Sequence, residues 1–210
     1  MSLRILPSAV LLALAACAAP LPPLPDAPVL IFGEQHDQPD HQRQTAQAVQ
    51  RLAERGRLAA LVIEMAERGR STTGLPRDAD AARVREALAW SGWEWPVYEG
   101  VVMAALRAGV PVLGGNLPRA ALRETMADAS RDALLDAGAR ERLTAAVREG
   151  HCGLLPAEQE PGMVRVQIGR DQSLAATVTE ALRPGQQVIL LTGAQHASRD
   201  RGVPLHLARQ

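Results

Sequence analysis

The stretch VLIFGEQHD, residues 29–37, is an apolar run that stops at the four-residue phrase Gly33–His36. A second apolar run near the other end of the chain, VILLTGAQHAS, residues 188–198, stops at the same Gly-x-x-His phrase, Gly193–His196. Runs that are apolar at nearly every position are typical of strands buried on both faces of a parallel sheet. The two phrases are therefore expected at the carboxyl ends of two such strands.

The rest of the chain alternates between strand-like and helix-like segments. The apolar runs of strand length are 28–33, 58–65, 110–116 and 186–193. The segments with helical character, several bounded by Pro or Gly, are 39–56, 97–109, 118–129, 139–150 and 162–185. Strands that alternate with helices predict an α/β fold. We expect one three-layer domain over residues 29–210, with a mostly parallel β-sheet flanked by helices.

Composition excludes some classes of function. The chain has 210 residues with 23 basic and 23 acidic side chains, so its formal net charge is zero. A nucleic-acid surface normally carries a basic excess, and no nucleic-acid partner is therefore expected. Every basic side chain other than His is Arg, which leaves no lysine for a Schiff base or a lysine general base.

The N-terminal residues predict export and lipidation. Arg4 precedes an apolar stretch that is too short to span a bilayer, which is typical of a secretory signal peptide over residues 1–16. Leu-Ala-Ala-Cys, ending at Cys17, resembles the lipobox of bacterial lipoproteins, so acyl chains on Cys17 would anchor the protein to a membrane. Residues 17–28 are Pro-rich and predict an extended tether. With Ala18 after the cysteine, we expect the periplasmic face of the outer membrane.

Polar residues follow the predicted strands and point to a cleft. Glu34, His36, Glu64 and His196 all lie at or beyond strand carboxyl ends, where parallel α/β sheets bind ligands. Gly33 and Gly193 are expected to permit a sharp turn that directs each His back over the sheet. Two His and two carboxylates suit a divalent metal such as Zn, Mn or Fe, or general acid/base catalysis. Alternatively, Glu34 merely caps the next helix and the imidazoles are ordinary loop groups.

Three further features are candidates for ligand contact. WSGWEWPVY, residues 90–98, holds four of the five aromatic residues and either walls a flat ligand or supplies bulky core side chains. Gln167, Arg170 and Asp171 share one helix face, so Arg170 either binds a carboxylate in the cleft or joins a buried ion pair. His151 opens a loop after a helix end and is a candidate for the cleft, whereas a nucleophilic Cys152 is disfavoured.

Several segments together resemble the ChaN-like family of haem-binding lipoproteins, which shares a superfamily with the Tiki and TraB proteins and the erythromycin esterases. The similar segments extend over residues 29–210 in the same order: LIFGEQHDQPDHQRQ, ALVIEM, VPVLGGNLPR, HCGLLP, MVRVQIGRDQSLA and LLTGAQHASRDRGVPLHL.

The resemblance implies a protein that binds haem or iron at the cell envelope, in connection with an uptake system. It also implies a homodimer that encloses cofacial haems, a tyrosinate ligand to iron and basic side chains at the propionates. Tyr98 is the only tyrosine here, and Arg or His must replace Lys at the propionates. The cofactor-binding residues so implied are Tyr98, His36, His151, Arg170 and His196.

The superfamily also has a catalytic branch, which leaves an enzyme as the alternative. Tiki-type proteins resemble this chain in their paired Gly-x-x-His motifs and a glutamate, and they are described as metal-dependent proteases. That resemblance implies a metal-dependent hydrolase in which Glu34, His36, Glu64 and His196 are both metal ligands and catalytic residues. A binding protein is favoured over this enzyme.

Overall fold

The computed structural model describes residues 22–207, and its centre is a sheet of four parallel strands in the order β1-β4-β2-β3. The strands are Val29–Glu34 (β1), Leu58–Glu67 (β2), Val112–Asn116 (β3) and Gln187–Gly193 (β4). All four predicted strands are confirmed, each with bounds within two residues. The register pairs Glu34 of β1 with Gly193 of β4, so the two Gly-x-x-His phrases leave the sheet side by side.

The helices cover both faces of the sheet. They are Pro39–Glu54 (α1), Ala81–Ala87 (α2), Trp95–Arg107 (α3), Leu122–Ala127 (α4), Ala137–Gly150 (α5), Glu160–Ala181 (α6) and Pro204–Leu207 (α7). The predicted helix at 118–129 is shorter than expected, because 3-10 turns at Arg119–Ala121 and Ala129–Ala133 flank α4. Helices α2 and α7 were not predicted, since segments of seven and four residues are too short to show a clear helical period.

Alternation along the strands separates two apolar cores. Leu61 and Ile63 of β2, with Ile189 of β4, pack in a core that includes side chains of α1, α2 and α3. The intervening side chains, among them Val62 and Leu190, pack against α6 in a second core. Each fully buried aliphatic side chain of this kind contributes about 1.5–3 kcal/mol to stability. The expected three-layer α/β domain is therefore confirmed.

The same alternation places the polar groups at the carboxyl edge on opposite faces. Glu34 continues the face of Leu30 and Phe32, which belongs to the core shared with α1 and α3. Glu64 is two residues beyond Val62 and continues the face that packs against α6. Because side chains alternate with a period of two along a strand, the two carboxylates are directed to different layers of the domain.

The described end of the predicted tether lies on the domain. Residues 22–28 form no helix or strand, but Leu24 and Ala27 pack against the first core. The Gln187 side-chain amide donates to the carbonyl oxygens of Pro25 (3.0 Å) and Ala27 (2.5 Å). Residues 22–28 therefore pack along the domain, and the tether over residues 17–28 stays a prediction. The predicted signal peptide and Cys17 lie outside the described residues.

Within residues 22–207, none of the helices combines the length and the apolar character needed to cross a membrane.

Candidate functional site

The first polar cluster is built on Glu34 at the end of β1. Glu34 is only 2% exposed, and its Oε1 accepts a hydrogen bond from the Tyr98 hydroxyl of α3 at 2.7 Å. Its other oxygen, Oε2, accepts from the side-chain amide of Gln42 on α1. His36 Nδ1 lies 2.7 Å from Glu34 Oε1. This hydrogen bond to Glu34 raises the pKa of His36 above its ordinary value. Glu34 is thus a buried acceptor held by three donors.

The second cluster is built on Glu64 and His196. Glu64 Oε2 accepts from the Thr192 hydroxyl and from the Gly193 backbone N–H, each at 2.7 Å. Burial works against the charged carboxylate, but the facing His196 and these two donors outweigh it and lower the pKa of Glu64. His196 Nε2 lies 3.7 Å from Glu64 Oε1. Its Nδ1 lies 2.6 Å from Asp171 Oδ1 on α6. His196 is therefore held between two carboxylates.

The buried pair of His196 and Asp171 binds its protons tightly. Burial raises the pKa of Asp171 to about 6. Burial opposes the imidazolium form of His196, but the adjacent Asp171 carboxylate, supported by Glu64, outweighs it and raises the pKa of His196. A charge removed from water is expensive unless it is paired, and each group here supplies the partner that the other needs.

The glycines of the two phrases matter for close approach rather than for a special turn. Neither Gly33 nor Gly193 has a φ in the left-handed region, so the expected role in a sharp turn is wrong. A Cβ on Gly33 would lie 2.7 Å from the Cβ of Ala197. A Cβ on Gly193 would lie 3.0 Å from His36 Nε2 and 3.6 Å from Glu64 Oε2. Each glycine therefore makes room for the loop of the other phrase.

An open cavity of about 530 Å³ lies beside these clusters, beyond the carboxyl ends of β2 and β3. Its lining includes Glu64 of β2 and Trp93 from the loop between α2 and α3. Arg170 of α6 also lines the cavity, and its Nε is buried with no hydrogen-bond partner among the described residues. The Trp93 ring lies 4.7 Å, centroid to centroid, from the His36 ring. His36 is therefore adjacent to the cavity wall.

Most of the predicted site residues fall into two clusters in the structure, and Arg170 and His151 lie outside both. Glu34, His36 and Tyr98 form the first cluster, and Glu64 and His196 form the second. Arg170 lines the cavity. Tyr98 is only 2% exposed, and its hydroxyl is turned toward Glu34. His151 caps α5, with its Nδ1 2.7 Å from the Val147 carbonyl oxygen, and it does not line the cavity.

The predicted metal ligands are not arranged as a metal centre. Within residues 22–207, no group of three or more His, Cys, Asp or Glu side chains is placed to hold a metal ion. Glu34 and His36 bond to each other, whereas Glu64 bonds to β4 and His196 bonds to Asp171 on α6. The four ligands of the metal hypothesis are thus divided between two hydrogen-bonded clusters.

Some residues of the two clusters and of the cavity lining were not identified from the sequence. Gln42 lies on the buried stripe of α1 with Thr45, Val49 and Leu52, so a polar residue in an apolar stripe is the pattern that could have revealed it. Thr192 lies within an otherwise apolar strand in the same way. Arg70 and Arg119 add two cations to the cavity lining, and no sequence pattern pointed to either.

Fold and site together define an α/β protein with a ligand cavity at the carboxyl edge of a parallel sheet. A family model described as haem-binding uptake, Tiki superfamily, ChaN matches residues 21–207. The chain belongs to this family, as its sequence segments predicted. Among solved structures, it is similar to one described as "Cofacial heme binding to ChaN of Campylobacter jejuni". The two chains are 23% identical with a TM-score of 0.69, and the match covers 87% of this chain and 76% of the other. A comparison with curated proteins gives no match.

Proposed function

We propose that this chain binds haem in the cavity beside Trp93 and Arg170. One observation carries the proposal: a cavity of about 530 Å³ combines an aromatic wall with a buried guanidinium Nε that has no partner among the described residues. Its volume lies within the range of small-molecule and cofactor sites, roughly 300–1,000 Å³. Membership of a haem-binding family and the cofacial heme binding described for the similar ChaN structure support the same ligand.

The lining of the cavity fits the two chemical parts of haem. Trp93, Leu117 and Leu122 supply apolar and aromatic surface for the porphyrin plane. Arg170, Arg70 and Arg119 supply guanidinium groups for carboxylates, which they bind in a planar, two-pronged geometry. These arginines replace the lysine that the chain lacks. Haem, when bound, would supply an iron centre, and the side chains named here would orient the macrocycle.

The test is a hemin titration of the purified protein that follows the Soret band, with metal analysis on the same sample. Wild type is expected to saturate at a defined stoichiometry. Arg170→Gln is expected to weaken binding roughly 10- to 100-fold, because a hydrogen bond to a charged group is worth about 1.5–3 kcal/mol. Arg183→Gln is the matched control, since Arg183 bonds carbonyl oxygens at the C-terminal end of α6 and does not line the cavity.

A second ligand tests whether Arg170 acts through the haem carboxylates. The dimethyl ester of hemin keeps the porphyrin plane but lacks the carboxylates. The difference between wild type and Arg170→Gln should therefore vanish with the ester. No saturable Soret change in the wild-type protein would contradict haem binding itself.

The proposed cellular setting rests on the sequence. Lipidation of Cys17 would place the domain at the periplasmic face of the outer membrane, where haem or iron acquisition requires a carrier beside an uptake system. Cys17→Ala is expected to move the protein from the membrane fraction to the soluble periplasm and to abolish acyl labelling. Retention of the variant in the membrane would contradict the anchor. A homodimer that encloses two haems is proposed with it, and sedimentation with and without hemin measures the change in mass.

A hydrolase is the second candidate, and one observation favours it. His196 is oriented by a buried carboxylate at 2.6 Å and has a second carboxylate 3.7 Å from its other nitrogen, an arrangement suited to proton transfer. The metal-dependent form of this hypothesis expects stoichiometric bound metal that is lost in His36→Ala and His196→Ala. A metal-free sample that saturates with hemin favours the binding protein.

A further inference from the structure

We propose that the amino edge of the sheet, where the four strands begin, is the membrane-facing side of this protein, so that the cavity lies on the side away from the lipid. The surface concerned, called here the amino-edge surface, consists of residues 22–28 and of the loops 55–57 and 182–186. This inference rests on the proposed lipidation of Cys17. Two observations carry it: residues 22–28 are held at the edge opposite to the cavity, and little chain separates them from Cys17.

The docked segment, residues 22–28, is fixed to the amino edge by three donors. Gln187, the first residue of β4, donates to two carbonyl oxygens of this segment, at 2.5 and 3.0 Å. Arg57, which directly precedes β2, donates to Asp26 at 2.5 Å. Arg51 donates to a carbonyl oxygen of the segment at 2.9 Å, from the last turn of α1. Because α1 runs back from the carboxyl edge to the start of β2, all three donors lie at the amino edge.

The chain between the lipid anchor and the docked segment is too short to invert the domain. Cys17 is five positions before Pro22, and five residues span at most about 18 Å when fully extended. The seven residues of β4 rise roughly 23 Å from the amino edge to the carboxyl edge. If the carboxyl edge faced the lipid, Pro22 would be farther from the membrane than this chain can reach. The cavity at the carboxyl edge is therefore kept off the lipid while the docked segment holds its contacts.

The charge of the amino-edge surface suits lipid headgroups. Its two loops contact each other, since the Gln186 side-chain amide donates to the Gly56 carbonyl oxygen at 3.0 Å. The surface has three basic side chains, Arg55, Arg57 and Arg183, and one acidic side chain, Asp26. The chain as a whole has zero formal net charge, so this local excess of arginine is a property of the surface. Arginines near a bilayer are attracted to the phosphates of anionic lipids.

The test compares the distances of two points on the domain from the lipid headgroups. The acylated full-length protein is bound to vesicles of phosphatidylethanolamine and phosphatidylglycerol that carry an energy acceptor on a headgroup. A donor dye is attached either to the exposed Cys152 or, in a Cys152→Ser background, to Pro184→Cys in the exposed loop before β4. Arg148 links the turn at Cys152 to Glu160, the first residue of α6. The 22 residues of α6 thus separate the two dye positions by about 33 Å.

Energy transfer is expected to be several-fold more efficient from position 184 than from position 152, because transfer falls steeply with distance. Equal transfer from the two positions, or higher transfer from position 152, would overturn the proposal. Melting temperatures of the labelled variants check that each is folded.

A flexible Gly-Ser insertion after Ala19 tests the short tether without any substitution in the domain. The insertion removes the limit on reach, so transfer from the dye on the native Cys152 should rise. An unchanged value contradicts the role of the tether. Arg55→Gln is expected to lower transfer from position 184, whereas the matched control Arg140→Gln, at an exposed arginine of α5, is not. Equal effects of the two substitutions contradict contact between the amino-edge arginines and the headgroups.

The outcomes separate this inference from the anchor on which it rests. A chain that carries no acyl group on Cys17 contradicts the proposed lipidation. An acylated chain that binds the vesicles but gives no difference between the two dye positions contradicts only the orientation.

Discussion

The two Gly-x-x-His segments have the same phrase but opposite environments. They leave adjacent parallel strands, since Glu34 of β1 is paired with Gly193 of β4. The His36 side chain is 39% exposed and keeps one nitrogen without a hydrogen bond within the described residues, whereas that of His196 is 10% exposed and has a carboxylate near each nitrogen. One imidazole is open to a ligand and the other is enclosed.

This difference shows that a motif fixes where a side chain leaves the sheet but not what it meets there. The residue after Gly33 is Glu34, which turns into the domain and becomes the acceptor for His36. The corresponding residue after Gly193 is Ala194, which offers no side-chain acceptor. His196 instead finds Asp171 on α6 and Glu64 on β2. The enclosed His is thus expected to serve stability, and the open one to serve binding.

Substitution of each His in turn gives the largest expected difference. His196→Ala leaves Asp171 buried without its partner, and loss of one member of a buried pair costs about 3–5 kcal/mol. His36→Ala is expected to cost less than about 1 kcal/mol, because its site is half exposed and Glu34 keeps Tyr98 and Gln42 as donors. Urea unfolding of the hemin-free protein measures both values. Equal costs for the two variants would contradict the assigned roles.

Substitution of each glycine gives a smaller difference of the same kind. A Cβ on Gly33 would meet the Cβ of Ala197 at 2.7 Å and the Cα of Ala194 at 3.3 Å. Because the Ala194 Cα belongs to the main chain and the Ala197 Cβ is bonded directly to it, neither atom can move away easily. We therefore expect Gly33→Ala to lower stability by about 1–3 kcal/mol. A Cβ on Gly193 would meet His36 Nε2 at 3.0 Å, a looser contact with a half-exposed side chain, so Gly193→Ala should cost less than about 1 kcal/mol and displace the imidazole. Urea unfolding measures the stability cost of each substitution, and the hemin spectrum measures the effect of displacing His36. A larger stability loss in Gly193→Ala than in Gly33→Ala would contradict the expected difference.

The strands and the layers of the domain could be predicted from the sequence alone. Continuous apolar runs mark strands covered on both faces, and the period of two along β1 and β2 already determines which face Glu34 and Glu64 occupy. Their separation into two clusters was missed because the strand order β1-β4-β2-β3 depends on tertiary packing. Once β4 lies between β1 and β2, Glu34 takes its donors from α1 and α3, whereas Glu64 takes its donors from Thr192 and Gly193 of β4.

The partners of the site residues could be predicted less well than the residues themselves. Asp171 lies 25 positions from His196, and Tyr98 lies 64 positions from Glu34. Hydrogen bonds of such range leave no spacing signature in a single sequence. Arg170 was predicted because its spacing from Gln167 puts it on one helix face with Gln167 and Asp171, and the structure places it at the cavity. The role of Tyr98 as a donor to Glu34 depends on its burial, which sequence does not reveal.

We expect the smallest effect on the pH dependence of stability. This dependence tests the enclosed pair of His196 and Asp171 most directly. The pKa of Asp171 is raised to about 6 and the pKa of His196 is raised, so the folded state binds more protons than the unfolded state. The stability from both groups is therefore complete at low pH and is lost as pH rises through 6 and then through the raised pKa of His196. The lowered pKa of Glu64 acts in the opposite sense, but only as pH falls into the acidic range of a carboxyl group.

Thermal unfolding of the hemin-free protein should therefore give a lower melting temperature at pH 8 than at pH 6. Asp171→Asn should flatten this dependence, because it removes one titrating group of the pair and the negative charge that raises the pKa of His196. His36→Gln is the control, since it should remove only the part due to the raised pKa of His36. A melting temperature that rises from pH 6 to pH 8 in the wild-type protein would contradict the proton-binding pair.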